Sequence, residues 1–272
     1  MDNLEKKIVN ILTDLKENYG IVGVKAEFED EGTRLEEALW LRKIATKANL
    51  DLTIKIGGCG AIKDIYDAKT AGANTIVAPM IETPYALKKF VQATNFVFSD
   101  EERQNIKFLI NIETITGYSN IKEIIKSGLF SDINGIVLGR DDMTSSMGFS
   151  KNDINCDKIL EIAKSLSLNM QSVNKDMVIG GSVSADSLKF FDKLPYLTKF
   201  ETRKIVFDAQ KVLKNPDIVK GILKAVSFEL LWLKNKRELC GITYKGDEAR
   251  LQMLENRYKT LIDETSAVSV SI

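Results

Sequence analysis

The segment GIVLGRDDMTSSMG, residues 135–148, places two carboxylates directly after an apolar run. Residues 136–138 have the continuous apolar character of a strand that is buried on both faces, and Asp141 and Asp142 follow where that strand meets a loop. Glu113 ends an earlier apolar run in a similar way. Carboxylates in such places can cap a helix, exchange protons or bind a hard divalent cation.

The chain of 272 residues contains no histidine, and this restricts its chemistry. Ser-His-Asp and Cys-His mechanisms, histidine-based zinc sites and an imidazole base are all excluded. Acid–base chemistry must therefore use carboxylates, Lys, Tyr, Cys or water on a metal. The three cysteines, Cys59, Cys156 and Cys240, are far apart in the sequence, so they offer no thiolate cluster and suit a reducing cytoplasm.

The charge balance and the N-terminal pattern exclude some partners. Basic and acidic residues number 38 each, and a formal net charge of zero argues against nucleic acid as the main partner. Residues 3–18 have the pattern of an amphipathic helix and not of a signal peptide. No apolar run approaches the ~20 residues that a membrane span needs. We therefore predict a cytoplasmic protein without a nucleic-acid or membrane partner.

Strand-like and helix-like segments alternate along the chain, and the strands are short, apolar and rich in Ile and Val. This pattern is typical of parallel strands covered by helices, in either a (β/α)8 barrel or an open doubly wound sheet. We predict an α/β fold in which residues 1–214 form a (β/α)8 TIM barrel. The additional C-terminal helices, residues 215–272, are predicted to serve in packing or oligomerisation.

The pattern supplies seven strands, one fewer than a closed barrel needs. The segment KIVFDAQKVLK, residues 204–214, is predicted to be helical. The alternating apolar residues of SAVSVSI, residues 266–272, make that tail a candidate for the eighth strand. A strand from a partner chain, or a strand missed in the sequence, would also close the barrel.

Polar or glycine-rich clusters follow all seven predicted strands, and five of these clusters are acidic. In a parallel barrel these clusters converge on one mouth. So many carboxylates on one rim would repel one another unless they shared a cation, and Mg²⁺ suits one or two carboxylates with water and substrate. For single acids such as Asp30 or Glu82, helix capping is the simpler reading. The clusters are residues 27–30, 55–58, 79–82, 111–114, 139–142, 180–182 and 201–203.

The segment LINIETITGYSNIKEIIKSGLFSDINGIVLGRDDMTSSMG, residues 109–148, resembles the metal-site region of one enzyme family. This is the HpcH/HpaI aldolase and citrate lyase beta-subunit family, within the phosphoenolpyruvate/pyruvate barrel superfamily. Glu113 matches the family's metal-binding glutamate, and Asp142, followed by Met143 and by Met147-Gly148, matches its metal-binding aspartate. The segment KAEFEDEG, residues 25–32, resembles the Asp-x-Glu-Asp strand of citrate-lyase-like members, with Glu27 in place of the aspartate.

The resemblance implies a metal-dependent carbon–carbon lyase or aldolase of the class II type. A pyruvate-like 2-oxo acid would chelate Mg²⁺ or Mn²⁺ held by Glu113 and Asp142, and the metal would stabilise the enolate. The position of the family's enolate-stabilising arginine falls on Lys55. Glu29 is the candidate base, and Asp30 would orient it or cap the helix.

The same resemblance implies a substrate pocket around the start of the helix after residue 138. The backbone N–H groups of Arg140 to Asp142 would bind the substrate carboxylate. Gly139, which precedes them, and Asp141 are predicted to contact the substrate as well. The glycine turn IGGSVS, residues 179–184, contains Ser182 and could admit a phosphate or a second substrate. Because family members often use C-terminal helices to build oligomers, we also expect a homo-oligomer.

Two other functions remain open at this point. A citrate-lyase-like enzyme acting on acyl-CoA would need a basic groove, for which KNKR, residues 234–237, is the one dense cluster. A barrel without catalytic activity, used as a ligand sensor or scaffold, is compatible with the missing histidine and the altered strand ends.

Overall fold

A closed eight-stranded barrel forms the centre of the molecule in the computed structural model, which describes residues 3–240 and 245–268. The strands follow one another around the barrel in chain order, so the predicted α/β barrel is confirmed. They are β1 (Ile21–Glu27), β2 (Asp51–Lys55), β3 (Thr75–Ala78), β4 (Lys107–Ile112), β5 (Gly135–Gly139), β6 (Asp176–Gly180), β7 (Lys199–Glu201) and β8 (Ile205–Asp208).

Helices cover the outside of the barrel, and local sequence signals explain several of their ends. The Thr83 side chain accepts a hydrogen bond from the N–H of Ala86 at the start of α4, with Pro84 in the first turn. The helices are α1 (Asn3–Tyr19), α2 (Leu35–Lys47), α3 (Ile62–Thr70), α4 (Pro84–Val97), α5 (Asp100–Arg103), α6 (Ile115–Ser119), α7 (Ile121–Lys126), α8 (Arg140–Ser146), α9 (Asp157–Ser172), α10 (Asp186–Phe191), α11 (Ala209–Val212), α12 (Ile218–Cys240) and α13 (Lys245–Val268).

The eighth strand runs antiparallel to both of its neighbours, whereas β1 to β7 pair in parallel. The connection from β7 to β8 is a tight hairpin with Arg203 and Lys204 as its turn residues. Across this turn the N–H of Thr202 donates to the carbonyl of Ile205 at 2.9 Å. So short a connection cannot contain the helix that a parallel crossover would require.

The predicted helix over residues 204–214 is therefore wrong at residues 205–208, which form the missed strand. A run of Ile, Val and Phe fits a buried strand as well as a buried helix, so its pattern alone could not decide. The stacked rings of Phe200 and Phe207, with centroids 4.8 Å apart, join β8 to β7. In the tail, residues 266–268 end α13, and residues 269–272 lie outside the described part of the chain.

The C-terminal helices pack on the barrel's helical layer. Helix α12 contacts α1, and its Trp232 ring stacks on Trp40 of α2 at a centroid distance of 4.3 Å. In α13, Leu251 and Leu254 belong to the same apolar core. The role predicted for residues 215–272 and the boundary after residue 214 remain sequence predictions. Within the described ranges, no helix is both long enough and apolar enough to cross a bilayer.

The barrel interior is divided into an apolar half and a charged half. Strands β3 to β6 contribute a buried cluster of Val77, Leu109, Val137 and Val178. Register places Lys55 of β2 beside Val77 of β3 and beside Glu27 of β1, so all three face the interior. The interior between β7 and β2 therefore carries buried charges where branched apolar side chains are usual.

Candidate active site

Glu113 lies at the barrel mouth, directly after β4, and is 2% exposed. Its Oε1 accepts a hydrogen bond from the N–H of Met80 at 2.9 Å, and its Oε2 accepts one from Nδ2 of Asn111 at 2.6 Å. Met80 has a φ of +51°, an uncommon value for a residue other than glycine. A strained backbone residue on the neighbouring strand end thus helps to hold the Glu113 carboxylate in place.

Asp142 lies in the first turn of α8, at the next strand end, and is half-buried. Burial raises the pKa of its carboxyl to about 6, and the negative charge of Glu113 adds to the increase. Glu113 also packs against Gly139, where an added Cβ would lie 2.6 Å from its Oε2. The two predicted metal ligands therefore lie at adjacent strand ends, close enough for the charge of Glu113 to raise the pKa of Asp142.

Lys55 ends β2 and places a buried positive charge between two acids. Its Nζ lies 2.8 Å from Oε2 of Glu29 and 3.6 Å from Oε2 of Glu113. Burial alone would lower the pKa of Lys55, but the Glu113 and Glu29 carboxylates outweigh it and raise that pKa. Lys55 therefore stays an ammonium ion at neutral pH.

The two predicted acids after β1 differ in their surroundings. The Glu29 side chain is 25% exposed and faces Lys55. Asp30 is exposed, yet its negative charge contributes to the raised pKa of Asp142. Both acids thus belong to the mouth that contains Lys55, Glu113 and Asp142.

The polar groups predicted to bind substrate also meet at the mouth, between β5 and β6. The hydroxyl of Ser182 donates to Oδ1 of Asp141 at 2.8 Å, and both residues are exposed. Gly181 has a φ of +85°, and a Cβ there would lie 2.7 Å from the backbone nitrogen of Asp141. Only glycine permits this close approach, which brings the 180–182 turn against the start of α8.

Arg140 was predicted to bind substrate through its backbone N–H, and its side chain is fully buried. Its guanidinium donates to the carbonyls of Gly180 and Gly181 at 3.1 and 2.6 Å and to Oδ1 of Asn155 at 2.6 Å. The side chain therefore ties α8 to the end of β6 and cannot reach a substrate. Substrate binding by the backbone N–H of Arg140 stays a prediction.

Replacing Arg140 with methionine is expected to lower the free energy of unfolding by about 2–5 kcal/mol, because buried carbonyls lose charged donors. Urea denaturation measures this value, and exposed Lys63 supplies the control, K63M, which should leave it unchanged. An R140M protein of wild-type stability would contradict the structural role.

One buried charge in the interior, Lys25, was not singled out from the sequence. Lys25 lies on β1 with its Nζ 3.0 Å from Oε1 of Glu27, and it also forms an ion pair with Glu201 at the end of β7. Burial disfavours the charge on Lys25, yet the Glu201 and Glu27 carboxylates raise its pKa. Burial would likewise raise the pKa of Glu27, but Lys25 and Lys55 lower it to about 2. In the sequence, Lys25 and Glu27 stand two positions apart in β1, which places both charged side chains on the same face of the strand. This spacing could have indicated the buried pair.

The part of the chain that matches a known protein family contains Lys55, Glu113 and Asp142. Residues 48–178, which include the ends of β2 to β5, match the model described as HpcH/HpaI aldolase/citrate lyase. Over these residues the chain is similar to that family. This similarity supports an enzyme of the lyase or aldolase type in general terms. The comparison with curated proteins finds no match.

Solved structures share the fold at low sequence identity. A citrate synthase, SbnG, is 16% identical with a TM-score of 0.57, and the match covers 85% of this chain and 90% of that one. An HpcH/HpaI aldolase from Desulfitobacterium hafniense is 13% identical with a TM-score of 0.58, covering 72% and 81% of the two chains. A family protein from Burkholderia cenocepacia is 13% identical with a TM-score of 0.57, covering 73% and 83%. At these identities the likeness concerns the fold alone.

The donor set at the mouth fits a hard divalent cation that completes its coordination with water and substrate. Among the described residues, no group of three or more His, Cys, Asp or Glu side chains is placed to hold one ion. Glu113 and Asp142 supply two carboxylates, the number that Mg²⁺ commonly takes from protein. Burial and the charge of Glu113 disfavour the negative charge on Asp142, and a bound cation would stabilise that charge.

Proposed function

We propose that this chain is a divalent-metal-dependent carbon–carbon lyase that acts on a 2-oxo acid. The observation that carries the proposal is the meeting of Glu113, Asp142 and the Lys55 ammonium at one barrel mouth. Glu113 disfavours the negative charge on Asp142, which suits a cation, and the lysine adds a positive charge for an anionic substrate. The family's lyase class supports the same reaction.

Glu113 and Asp142 would hold Mg²⁺ or Mn²⁺, which when bound supplies a Lewis acid for the carboxylate and the 2-oxo group. Lys55 supplies a fixed positive charge that stabilises negative charge developing on the 2-oxo oxygen. Because Lys55 is buried, little water screens this charge. Asn111 and the N–H of Met80 orient Glu113.

Glu29 is the proposed proton acceptor for the hydroxyl of a 4-hydroxy-2-oxo acid. Its carboxylate is partly exposed and is held by Lys55, so it can face a substrate that enters the mouth. Loss of that proton would let the carbon–carbon bond break and turn the hydroxyl carbon into the carbonyl of the departing fragment. The electron pair of the bond would form the enolate of the 2-oxo acid, and protonation of that enolate would give pyruvate. Asp141 and Ser182 line the same mouth and are proposed to contact the substrate.

The direct test is release of pyruvate from a 4-hydroxy-2-oxo acid, followed by a coupled reduction of pyruvate. We expect activity with Mg²⁺ or Mn²⁺, loss of activity after treatment with a chelator, and recovery when the metal is returned. Metal titration by calorimetry in the presence of oxalate provides a second readout. Absence of both cleavage and metal binding would favour the barrel without catalytic activity.

Metal binding should depend on pH through Asp142. The pKa of this carboxyl is about 6, so below pH 6 a proton occupies the group and competes with the metal. Affinity should be nearly constant above pH 7 and should fall about tenfold per unit below pH 6, because one proton is displaced per metal bound. Calorimetric titrations from pH 5 to pH 8 measure this, and an affinity unchanged at pH 5 would contradict it.

The acyl-CoA alternative gains no support from the basic cluster. Lys234 lies 2.7 Å from Glu255, and Lys236 lies 3.1 Å from Glu37 in a buried pair. The two lysines of α12 thus pair with acids on α13 and α2, respectively. A homo-oligomeric state and a cytoplasmic location remain predictions.

A further inference from the structure

Three charged side chains lie buried beneath the mouth and have no part in the mechanism proposed above. Lys25, Glu27 and Glu201 are 6%, 7% and 4% exposed. Lys25 lies between the two acids, 3.0 Å from Oε1 of Glu27 and in an ion pair with Oε1 of Glu201. Well-packed apolar residues often replace a buried ion triad without loss of stability, so a buried cluster of charges is weak evidence for a stabilising role.

Glu27 is a potential competitor for the Lys55 ammonium. The two residues are register partners on adjacent strands, and both face the barrel interior. Their charges interact, since Lys55 contributes to the lowered pKa of Glu27. The ion pairs of Lys55 are nevertheless made with Glu29 and Glu113.

We infer that Lys25 is a positioning residue that holds Glu27 away from Lys55. By pairing with Glu27 and Glu201, Lys25 keeps Glu27 from capturing the Lys55 ammonium, which then stays beside Glu29 and Glu113. In a low-dielectric interior, an unpaired Glu27 would attract the neighbouring ammonium strongly. The expected effect on kcat rests on the function proposed above. The expected position of the Lys55 side chain does not depend on that function.

A suppressor experiment tests this inference. Removing Lys25 alone would leave Glu201 buried and unpaired, so K25M is combined with E201Q. We expect kcat to fall at least about tenfold in K25M/E201Q, because Lys55 leaves the reacting oxygen. Adding E27Q removes the competitor, and kcat should return to within about threefold of wild type. K25R, which keeps the charge, should stay close to wild type.

A purely structural role for Lys25 gives the opposite pattern, because each further substitution in the cluster would reduce activity or stability again. A triple variant no more active than K25M/E201Q would overturn the inference. Thermal unfolding followed by circular dichroism confirms that the compared proteins are folded. If K25M/E201Q does not fold, K25Q/E201Q is measured in its place. We expect this variant to show a smaller decrease in kcat.

Crystal structures supply a readout that does not depend on activity. In K25M/E201Q, Nζ of Lys55 should lie within ion-pair distance of the Glu27 carboxylate, and in the triple variant it should return to Glu29 and Glu113. Lys55 unmoved in K25M/E201Q would overturn the inference. If the wild-type protein cleaves no 2-oxo acid, the proposed function fails, while these structures still decide whether Lys25 positions Lys55.

Discussion

Replacing Glu113 with glutamine, or Asp142 with asparagine, is expected to lower kcat for cleavage of a 4-hydroxy-2-oxo acid by about 10³-fold or more. Each change removes a negative charge from the proposed two-carboxylate cation site, and Lewis-acid stabilisation is worth several kcal/mol. The measurement is pyruvate release under saturating Mg²⁺, together with metal affinity by calorimetry. Glu113 is nearly fully buried, so the isosteric amide keeps its packing and its acceptor for the N–H of Met80.

The matched control is Glu123, an exposed carboxylate on α7, after the same strand. E123Q should keep wild-type activity and metal affinity. E113Q should also lower the pKa of Asp142, since it removes a negative charge that contributes to its raised value. An NMR titration of the Asp142 carboxyl measures this shift. Full activity in both E113Q and D142N would disprove the proposed metal site.

Replacing Lys55 with methionine should have the second largest effect, a decrease in kcat of about 10²–10³-fold. The substitution keeps the length of the side chain but removes the positive charge beside Glu29 and Glu113. Single-turnover cleavage kinetics measure the chemical step directly. Because an opposing charge is lost, the pKa of Asp142 should rise further in K55M.

Two variants complete this test. Arginine at position 55 restores a cation, so K55R should recover part of the activity lost in K55M. Lys63 is exposed on α3 and pairs with Asp67, so K63M removes a lysine outside the site and should leave the chemical step unchanged. Activity of K55M within twofold of wild type would exclude Lys55 from the reaction.

The amino-acid sequence by itself determined the barrel and most of its mouth. Each parallel strand is a short apolar run followed by a polar or glycine-rich cluster, and this pattern arises when both faces are buried and only the strand end reaches solvent. The absence of histidine limited the chemistry to carboxylates, lysine and metal. Glu113, Asp142, Lys55 and Glu29 could be placed at one mouth because parallel strand ends must converge.

Only the tertiary structure decided the direction of β8, the burial of Arg140 and the pairing of Lys25. A run such as Ile205 to Phe207 satisfies strand and helix patterns equally, and a two-residue hairpin settled its direction. An arginine after a strand has the same local sequence whether it points to solvent or under a helix. Lys25 and Glu201 are 176 positions apart, and they meet because barrel closure places β7 and β1 on either side of β8. Such contacts depend on how the strands close, which no local pattern contains.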